Sequence, residues 1–91
     1  MKRWVVVLRA LGNINRLKII DILSRGKKMS VGELAKQLRI SLKSTSNHLA
    51  ILKNLDVLEA EGANGRVFYS TNRGMPNDFM KILRQIIKMS L

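Results

Sequence analysis

Cysteine is absent from this chain of 91 residues, and histidine and proline each occur once. Without thiols there is no disulfide, thiolate metal site, iron–sulfur cluster or cysteine nucleophile. No apolar run approaches the ~18 residues that a membrane-spanning helix needs. The short run near the N-terminus is interrupted by Arg9, and no small-residue cleavage site follows it, which argues against a signal peptide. We therefore expect a cytoplasmic protein whose first residues form a helix of the folded domain.

Acidic residues are also scarce. Six Asp and Glu stand against seventeen Lys and Arg, which gives a formal net charge of +11 and an isoelectric point near 11.1. Such an excess attracts polyanions through counterion release, so nucleic acid is the first expected partner and an anionic membrane the second. A basic protein that is merely soluble is the plain alternative. With 46% hydrophobic residues the chain has material for one core, and we expect a single domain over residues 1–91.

Helical periodicity dominates the first half of the chain. A first helix is expected over about 3–11, and a second from Ile14 to about Arg25 behind a cap at Asn13. These two segments are followed by a pair of helices with a tighter connection.

The connection between the third and fourth helices is short. Ser30 stands three residues before Glu33, which is the spacing of a capping box at a helix start. Ser41 is placed to cap the next helix, which runs to about Leu55. Two helices joined by a turn of about three or four residues form a helix-turn-helix, here over about 30–55.

After Asp56 the period changes from helical to alternating. The alternation predicts a strand near 57–61, a turn over 62–65 and a return strand near 66–71. Asn-Gly between alternating segments is a strong hairpin signal. A last helix is expected over about 77–90. The predicted fold class is mainly α with a small β-hairpin, a winged helix-turn-helix of about five helices with a two-stranded wing over about 57–71.

A helical wheel divides the second helix of the helix-turn-helix into two sides. The expected buried stripe consists of Leu42, Thr45, Leu49 and Leu52. The polar side consists of Lys43, Asn47, Ala50 and Asn54, with Ser46 at its border and the hydroxyls of Ser41 and Ser44 near the helix start. This side has no acid and mostly short side chains, so it can approach base edges and phosphates in a major groove. Asn47 suits a bidentate contact with adenine; the alternative is a solvated helix surface.

The single histidine, His48, is expected on the flank of this helix. It has no second histidine, no cysteine and no nearby acid with which to hold a metal. Ser41 and Ser44 are expected on other parts of the wheel, so no nucleophile is placed for it to activate. We expect His48 to lie between helices or to contact a phosphate. The chain is therefore predicted to have no enzymatic activity and no cofactor.

Arg66 directly follows the predicted hairpin turn, so its side chain is expected near the wing tip. An arginine there reaches phosphates or a narrow minor groove, and the alternative is an exposed strand residue. Glu59 and Glu61 share one face of the preceding strand, and their charge indicates that this face points away from DNA.

Three segments in this order are specific enough to indicate a family. They are LGNINRLKIIDILSRG, VGELAKQLRISLKSTSNHLAILKNLDVL and GRVFYS. From about Leu11 to Tyr69 the chain resembles the ArsR/SmtB family of small dimeric winged-helix repressors. The family's Ser…Ser-x-His-Leu positions are occupied by Ser41, Ser46, His48 and Leu49.

The resemblance implies a homodimer that binds double-stranded DNA at an operator with two-fold symmetry. The family's base-reading positions correspond to Leu42, Lys43, Ser46 and Asn47. Leu42 is a departure, because the family often has glutamine there, and this residue belongs to the core or to methyl packing instead. The first and last helices would form the dimer interface, through Trp4, Val7, Leu8, Leu11, Phe79, Ile82, Leu83 and Ile86.

The family's sensing residues are not matched. Metal-responsive members carry a cysteine pair in the helix before the recognition helix, where this chain has Val31 and Glu33. Other members place Asp and His ligands on the last helix, where this chain offers Asp78 alone. We expect no metal site. Relief of DNA binding by another ligand, by a partner protein or by nothing stays open.

Two other functions stay open from the sequence. A winged helix whose last helix or wing docks a protein would use the apolar terminal helices as an interaction module. A chromatin-like binder would use the net charge of +11 to bind DNA without sequence preference.

Overall fold

The computed structural model describes residues 2–75 and 77–90, and within them the chain forms five helices and one small sheet. In chain order the elements are α1 (Lys2–Leu11), α2 (Ile14–Leu23), β1 (Met29–Ser30), α3 (Val31–Leu38), α4 (Leu42–Asn54), β2 (Leu58–Ala63), β3 (Arg66–Thr71) and α5 (Asn77–Ser90). The helix-turn-helix is α3 and α4, and the wing is β2 and β3. The predicted winged-helix fold is confirmed.

Capping side chains set where α2 begins and ends. The Asn13 carboxamide oxygen accepts hydrogen bonds from the backbone N–H groups of Asn15 and Arg16, at 3.0 and 3.2 Å. At the other end the Ser24 hydroxyl donates to the Asp21 carbonyl at 2.8 Å. This bond competes with helical continuation, so α2 stops at Leu23 rather than near residue 25 as predicted.

The predicted capping box at the start of α3 is present. The Ser30 hydroxyl accepts from the Glu33 N–H at 3.3 Å, and the Ser30 N–H donates to the Glu33 carboxylate at 2.9 Å. The Ser30 backbone N–H, followed by its side chain, lowers the pKa of Glu33 below its usual range. Two N–H groups that would otherwise lack partners at this helix start are therefore satisfied together.

Removing the capping hydroxyl is expected to lower stability. Ser30 is buried, and Ser30→Ala leaves the Glu33 N–H without its acceptor, which lowers the free energy of unfolding by about 1 kcal/mol. Urea denaturation followed by circular dichroism measures this change. Ser46→Ala, on the exposed side of α4, is the matched control and should change stability by less than about 0.5 kcal/mol. Equal effects of the two substitutions would contradict this assignment of the cap.

The turn between α3 and α4 is fixed by backbone geometry. Arg39 ends α3 in the left-handed region, with φ of 59°, and the Ile40 N–H donates to the Ala35 carbonyl at 3.2 Å. The Ser41 hydroxyl then accepts from the Ser44 N–H at 3.0 Å and starts α4. This turn sets the direction in which α4 leaves the core.

The sheet has the order β1-β3-β2, and all its pairs are antiparallel. The wing turn is tighter than predicted, because Gly62 and Ala63 belong to β2 and pair with the return strand. Only Asn64 and Gly65 form the turn, with φ of 53° and 75°, which is the two-residue geometry that Asn-Gly favours. The strand β1 was not predicted, because two residues are too short to show a period.

The core lies between α2, α3, α4, the base of the wing and the inward faces of α1 and α5. Four of the side chains predicted at a dimer interface belong to this core: Val7, Leu11, Phe79 and Leu83. Each is less than a tenth exposed, so little of their surface is left for a partner. Trp4 packs on Phe79 with ring centroids 4.9 Å apart, which places α1 beside α5.

Two arginines tie α1 to the rest of the domain. The Arg3 guanidinium donates to the Leu55 carbonyl at the end of α4 and lies 3.8 Å from the Asp56 carboxylate. Arg16 of α2 donates through Nη1 to the Ala10 carbonyl at 2.8 Å. One end of α1 is therefore connected to α4, and the other end to α2.

Candidate nucleic-acid interface

The helix α4 has a buried side and an exposed side, as its sequence predicts. Thr45, Leu49 and Leu52 are fully buried, and the Thr45 hydroxyl is satisfied by the Ser41 carbonyl at 2.8 Å. The exposed side carries Lys43, Ser46, Asn47, Ala50 and Asn54. No acidic residue occurs in α4, so this surface combines one cation with short polar groups.

Leu42 was predicted in the buried stripe, and that prediction is wrong. Its side chain is 60% exposed. A helical wheel gives the direction of a side chain and not its depth: Leu42 points in nearly the same direction as Leu49 but lies in the first turn, beyond the cover of the core. An exposed leucine beside Lys43 is available for apolar contact, such as packing on a thymine methyl.

The two serines near the start of α4 differ in their surroundings. Ser41 is exposed and acts as the cap, whereas Ser44 is half-buried and its Oγ lies 3.5 Å from Nε2 of His48. We expected Ser44 on a different part of the wheel from His48, and the structure corrects this. Residues four apart in a helix are neighbours, which accounts for the contact.

His48 is half-buried between α4 and α2. Its Nδ1 accepts a hydrogen bond of 3.2 Å from Nε of Arg16. Burial, followed by the positive charge of Arg16, lowers the pKa of His48 below its ordinary value. Of the two predicted roles, the interhelical position is the one that the structure contains.

Arg16 was not identified by the sequence reasoning, although a signal was present. It precedes Ile19, Ile20 and Leu23 at three-, four- and seven-residue spacing, and all three are fully buried. An arginine on that side of α2 has to find buried acceptors for its N–H groups. The carbonyl of Ala10 and the ring of His48 are those acceptors.

The wing presents Arg66 as an exposed residue directly after the turn, where the sequence placed it. Glu61 of β2 is paired with Lys28 at 3.2 Å, and Glu59 with Arg73 at 3.0 Å. These exposed pairs add little stability, but they neutralise the acids of the wing strand.

The same neutralisation extends to the other acidic side chains among the described residues. Asp21 pairs with Arg25, Asp56 with Arg3, and Glu33 is held in the capping box. Each described acid therefore has a basic or N–H partner. The charge left over on the surface of the helix-turn-helix and wing is positive, which favours a phosphate backbone as the partner.

No group of three or more His, Cys, Asp or Glu side chains in the described part of the chain is arranged to hold a metal ion. The side chain of Asp78, the one candidate ligand on α5, lies outside the described residues. None of the helices in the described ranges is long and apolar enough to cross a bilayer.

A second surface is apolar and lies on the terminal helices. Trp4 is 38% exposed, Leu8 51% and Ile82 46%, and Ile86 is half-buried. These four residues are the part of the predicted dimer interface that remains at the surface, and we call them the terminal-helix patch. A patch of large apolar side chains on two adjacent helices is typical of an interaction surface.

Comparison with known proteins gives one consistent result. The model of a family described as "Bacterial regulatory protein, arsR family" matches residues 13–60. The transcriptional repressor SdpR of Bacillus subtilis is 35% identical over 72 residues, which cover 79% of each chain. The transcriptional activator HlyU of Vibrio cholerae is 30% identical over 82 residues, which cover 90% of this chain and 75% of HlyU.

Solved structures agree with these sequence matches. The structure of HlyU from Vibrio cholerae is similar with a TM-score of 0.83 and 27% identity, and the match covers 98% of this chain and 92% of HlyU. A homodimeric winged helix-turn-helix DNA-binding domain from Mycobacterium bovis has a TM-score of 0.81 and 24% identity, covering 98% of this chain and 79% of that one. The second likeness bears on the fold alone.

Proposed function

This chain belongs to the ArsR family of bacterial regulatory proteins, and on that premise we propose that it is a homodimeric repressor of an operator with two-fold symmetry. It is a winged-helix DNA-binding transcriptional regulator and not an enzyme. One observation carries the proposal: α4 exposes an acid-free polar face directly opposite its buried stripe. Repression is favoured over activation because SdpR, a repressor, is 35% identical, whereas the activator HlyU is 30% identical.

In this proposal the exposed side of α4 enters the major groove. Lys43 contacts a phosphate, while Ser46 and Asn47 face base edges. The exposed Leu42 packs on a thymine methyl. The hydroxyls at the start of the helix, Ser41 and Ser44, lie closest to the backbone of the DNA.

The wing has a separate role in the proposal. Arg66, at the end of a two-residue turn, reaches a phosphate or the minor groove beside the operator half-site. Its contact is electrostatic and carries little sequence information, in contrast to that of Asn47.

The dimer in the proposal forms through the terminal-helix patch. Covering Trp4, Leu8 and Ile82 removes large apolar side chains from water, which is the main favourable term in association. The Mycobacterium bovis neighbour is described as homodimeric, which supports the assignment at the level of the fold. A dimer of two-fold symmetry places two copies of α4 against two operator half-sites.

Sensing in this proposal does not use a bound metal. The support comes from the sequence, because the chain has no cysteine and one histidine, and that histidine is engaged by Arg16. A chelator is therefore expected to leave DNA affinity unchanged.

Selection of bound duplexes from a random pool, followed by titration at several salt concentrations, tests the proposed function. We expect a palindromic product with half-site centres about 10–10.5 base pairs apart, and affinity that falls as salt rises. The selected duplex should bind at least about 10³-fold more tightly than a scrambled one of equal length. Equal affinity for both would establish the chromatin-like alternative instead of the operator-specific regulator.

A further inference from the structure

The contacts of His48 fix which of its ring nitrogens carries the proton. Arg16 is always charged and its Nε–H can only donate, so Nδ1 of His48, 3.2 Å away, has to offer a lone pair. A neutral ring then carries its proton on Nε2. That nitrogen lies 3.5 Å from Oγ of Ser44, so the ring donates to the serine oxygen. The hydroxyl hydrogen of Ser44 is thereby free to point to another acceptor.

Arg16 is not free to move away from the ring. Its side chain is half-buried on the core-facing side of α2, and Nη1 donates to the Ala10 carbonyl at 2.8 Å. The guanidinium therefore joins α1 and α4, with Nε directed at His48. Charged hydrogen bonds at both nitrogens hold it in this orientation.

The position of Ser44 lets its hydroxyl donate a hydrogen bond to a group outside the protein. It is one turn into α4, and residues three apart on a helix are neighbours, so Ser41 and Asn47 flank it on the same side. Both flanking residues are exposed, whereas Ser44 is half-buried between them and His48. Its oxygen faces the ring, and the remaining direction is toward the exposed side of the helix.

We propose that His48, held by Arg16, is a positioning residue that turns the Ser44 hydroxyl toward a DNA phosphate, so that operator binding requires the neutral ring. The proposal rests on the proposed function, because that function places this side of α4 against DNA. Ser44 is the contacting group, and His48 acts through it.

A protonated ring would not support this arrangement. A second ring proton at Nδ1 would face the Arg16 N–H and place two positive charges together. Arg9 of α1 lines the same groove as Arg16, and within α4 the ring lies 3.5 Å from the Ser44 hydroxyl. No carboxylate among the described residues is paired with the ring. Protonation therefore breaks the bond to Arg16 and repels the ring from the guanidinium, and the displaced ring no longer holds its Nε2–H against the Ser44 oxygen.

The sign of the pH effect separates this role from a direct phosphate contact. Burial and Arg16 lower the pKa of His48 below its ordinary value, so the neutral ring is the form present at pH 7 and protonation needs more acidic solution than for a free imidazole. Under the proposal, affinity for the operator falls as the pH falls. A histidine that contacts phosphate as a cation would give affinity that rises as the pH falls.

The experiment measures affinity for the selected operator between pH 5.5 and 8 at constant ionic strength. The chain has one histidine, so a transition in this range that His48→Gln abolishes is assigned to His48. We expect the wild type to lose about 5- to 10-fold in affinity toward pH 5.5, which is the effect of one lost hydrogen bond. Ser44→Ala should lose a similar factor at pH 8 and show little further change with pH.

The conservative variant His48→Gln sharpens the test. A glutamine can accept from Arg16 through its oxygen and donate to Ser44 through its nitrogen, and it does not titrate. Affinity close to that of the wild type at pH 8, without the decline toward pH 5.5, is the expected result. Circular dichroism at each pH confirms that the variants remain folded.

Three results would overturn the proposal. They are affinity that rises toward low pH in the wild type, an unchanged pH profile in Ser44→Ala, and ¹⁵N chemical shifts that place the ring proton on Nδ1. The nitrogen shifts are measured on the free wild-type protein, so they test the ring geometry even if the glutamine variant fails to fold. Absence of sequence preference at pH 8 would instead overturn the proposed function, and the phosphate role of Ser44 with it.

Discussion

Leu8→Lys and Leu8→Glu are both expected to convert the proposed dimer into monomers and to lower operator affinity by about 10²- to 10⁴-fold. Leu8 is 51% exposed on α1, beside Trp4, and the proposed dimer buries it. A charge buried at an apolar contact without a partner costs several kcal/mol, which exceeds what a small patch can supply. A monomer then binds each half-site separately, without the high effective concentration that a dimer gives its second DNA-binding helix once the first is bound.

Using both signs of charge separates dimer loss from direct electrostatics. Near DNA, an added lysine would strengthen binding and an added glutamate would weaken it. If Leu8 acts through the dimer, both variants lose affinity. Sedimentation equilibrium measures the oligomeric state, and Val67→Glu, an equally exposed apolar site on the wing, is the matched control that should remain dimeric. Leu8 variants that remain dimeric would refute the assigned interface.

The second large effect is expected at Asn47. Asn47→Ala removes a carboxamide suited to adenine and should lower affinity for the selected operator by about 10- to 100-fold, with little change for a scrambled duplex. The ratio of the two affinities therefore falls. Because Asn47 is exposed, the substitution should leave the stability of the free protein nearly unchanged.

Arg66→Ala is the contrasting variant for that measurement. It should weaken binding to operator and scrambled duplex by similar factors, and reduce the slope of log affinity against log salt by about one unit for each phosphate that is no longer neutralised. Competition assays with both duplexes at several salt concentrations distinguish the two patterns. If Arg66→Ala altered the ratio and Asn47→Ala did not, the assigned roles would have to be exchanged.

The local rules of helix and turn formation account for most of what the sequence predicted correctly. The capping box at Ser30, the cap at Ser41 and the Asn-Gly wing turn each depend on residues within four positions of one another. Their geometry follows from hydrogen bonds and backbone angles of neighbouring residues, so the residue types at those positions are enough to predict it.

The features that were missed depend on distant residues. Whether Leu42 is covered is decided by what packs over the first turn of α4, and Phe79 is buried because α1 lies against α5. The link from Arg16 to His48 spans 32 positions in the chain. Periodicity gives the direction of each side chain within its own helix, but it contains no information about which other element lies opposite.

The hydrogen bonds that Arg3 and Arg16 make between α1 and the rest of the domain bear on which spacing between operator half-sites the protein accepts. Arg3 connects α1 to the end of α4, and Arg16 connects it through α2 to the middle of the same helix. In a dimer joined by α1 and α5, the two copies of α4 would then be held at a fixed separation and a fixed relative orientation. One added base pair between half-sites rotates the second half-site by about 34–36° around the DNA axis. Two α4 helices in a fixed relative orientation would not follow that rotation, so one of them would lose its half-site.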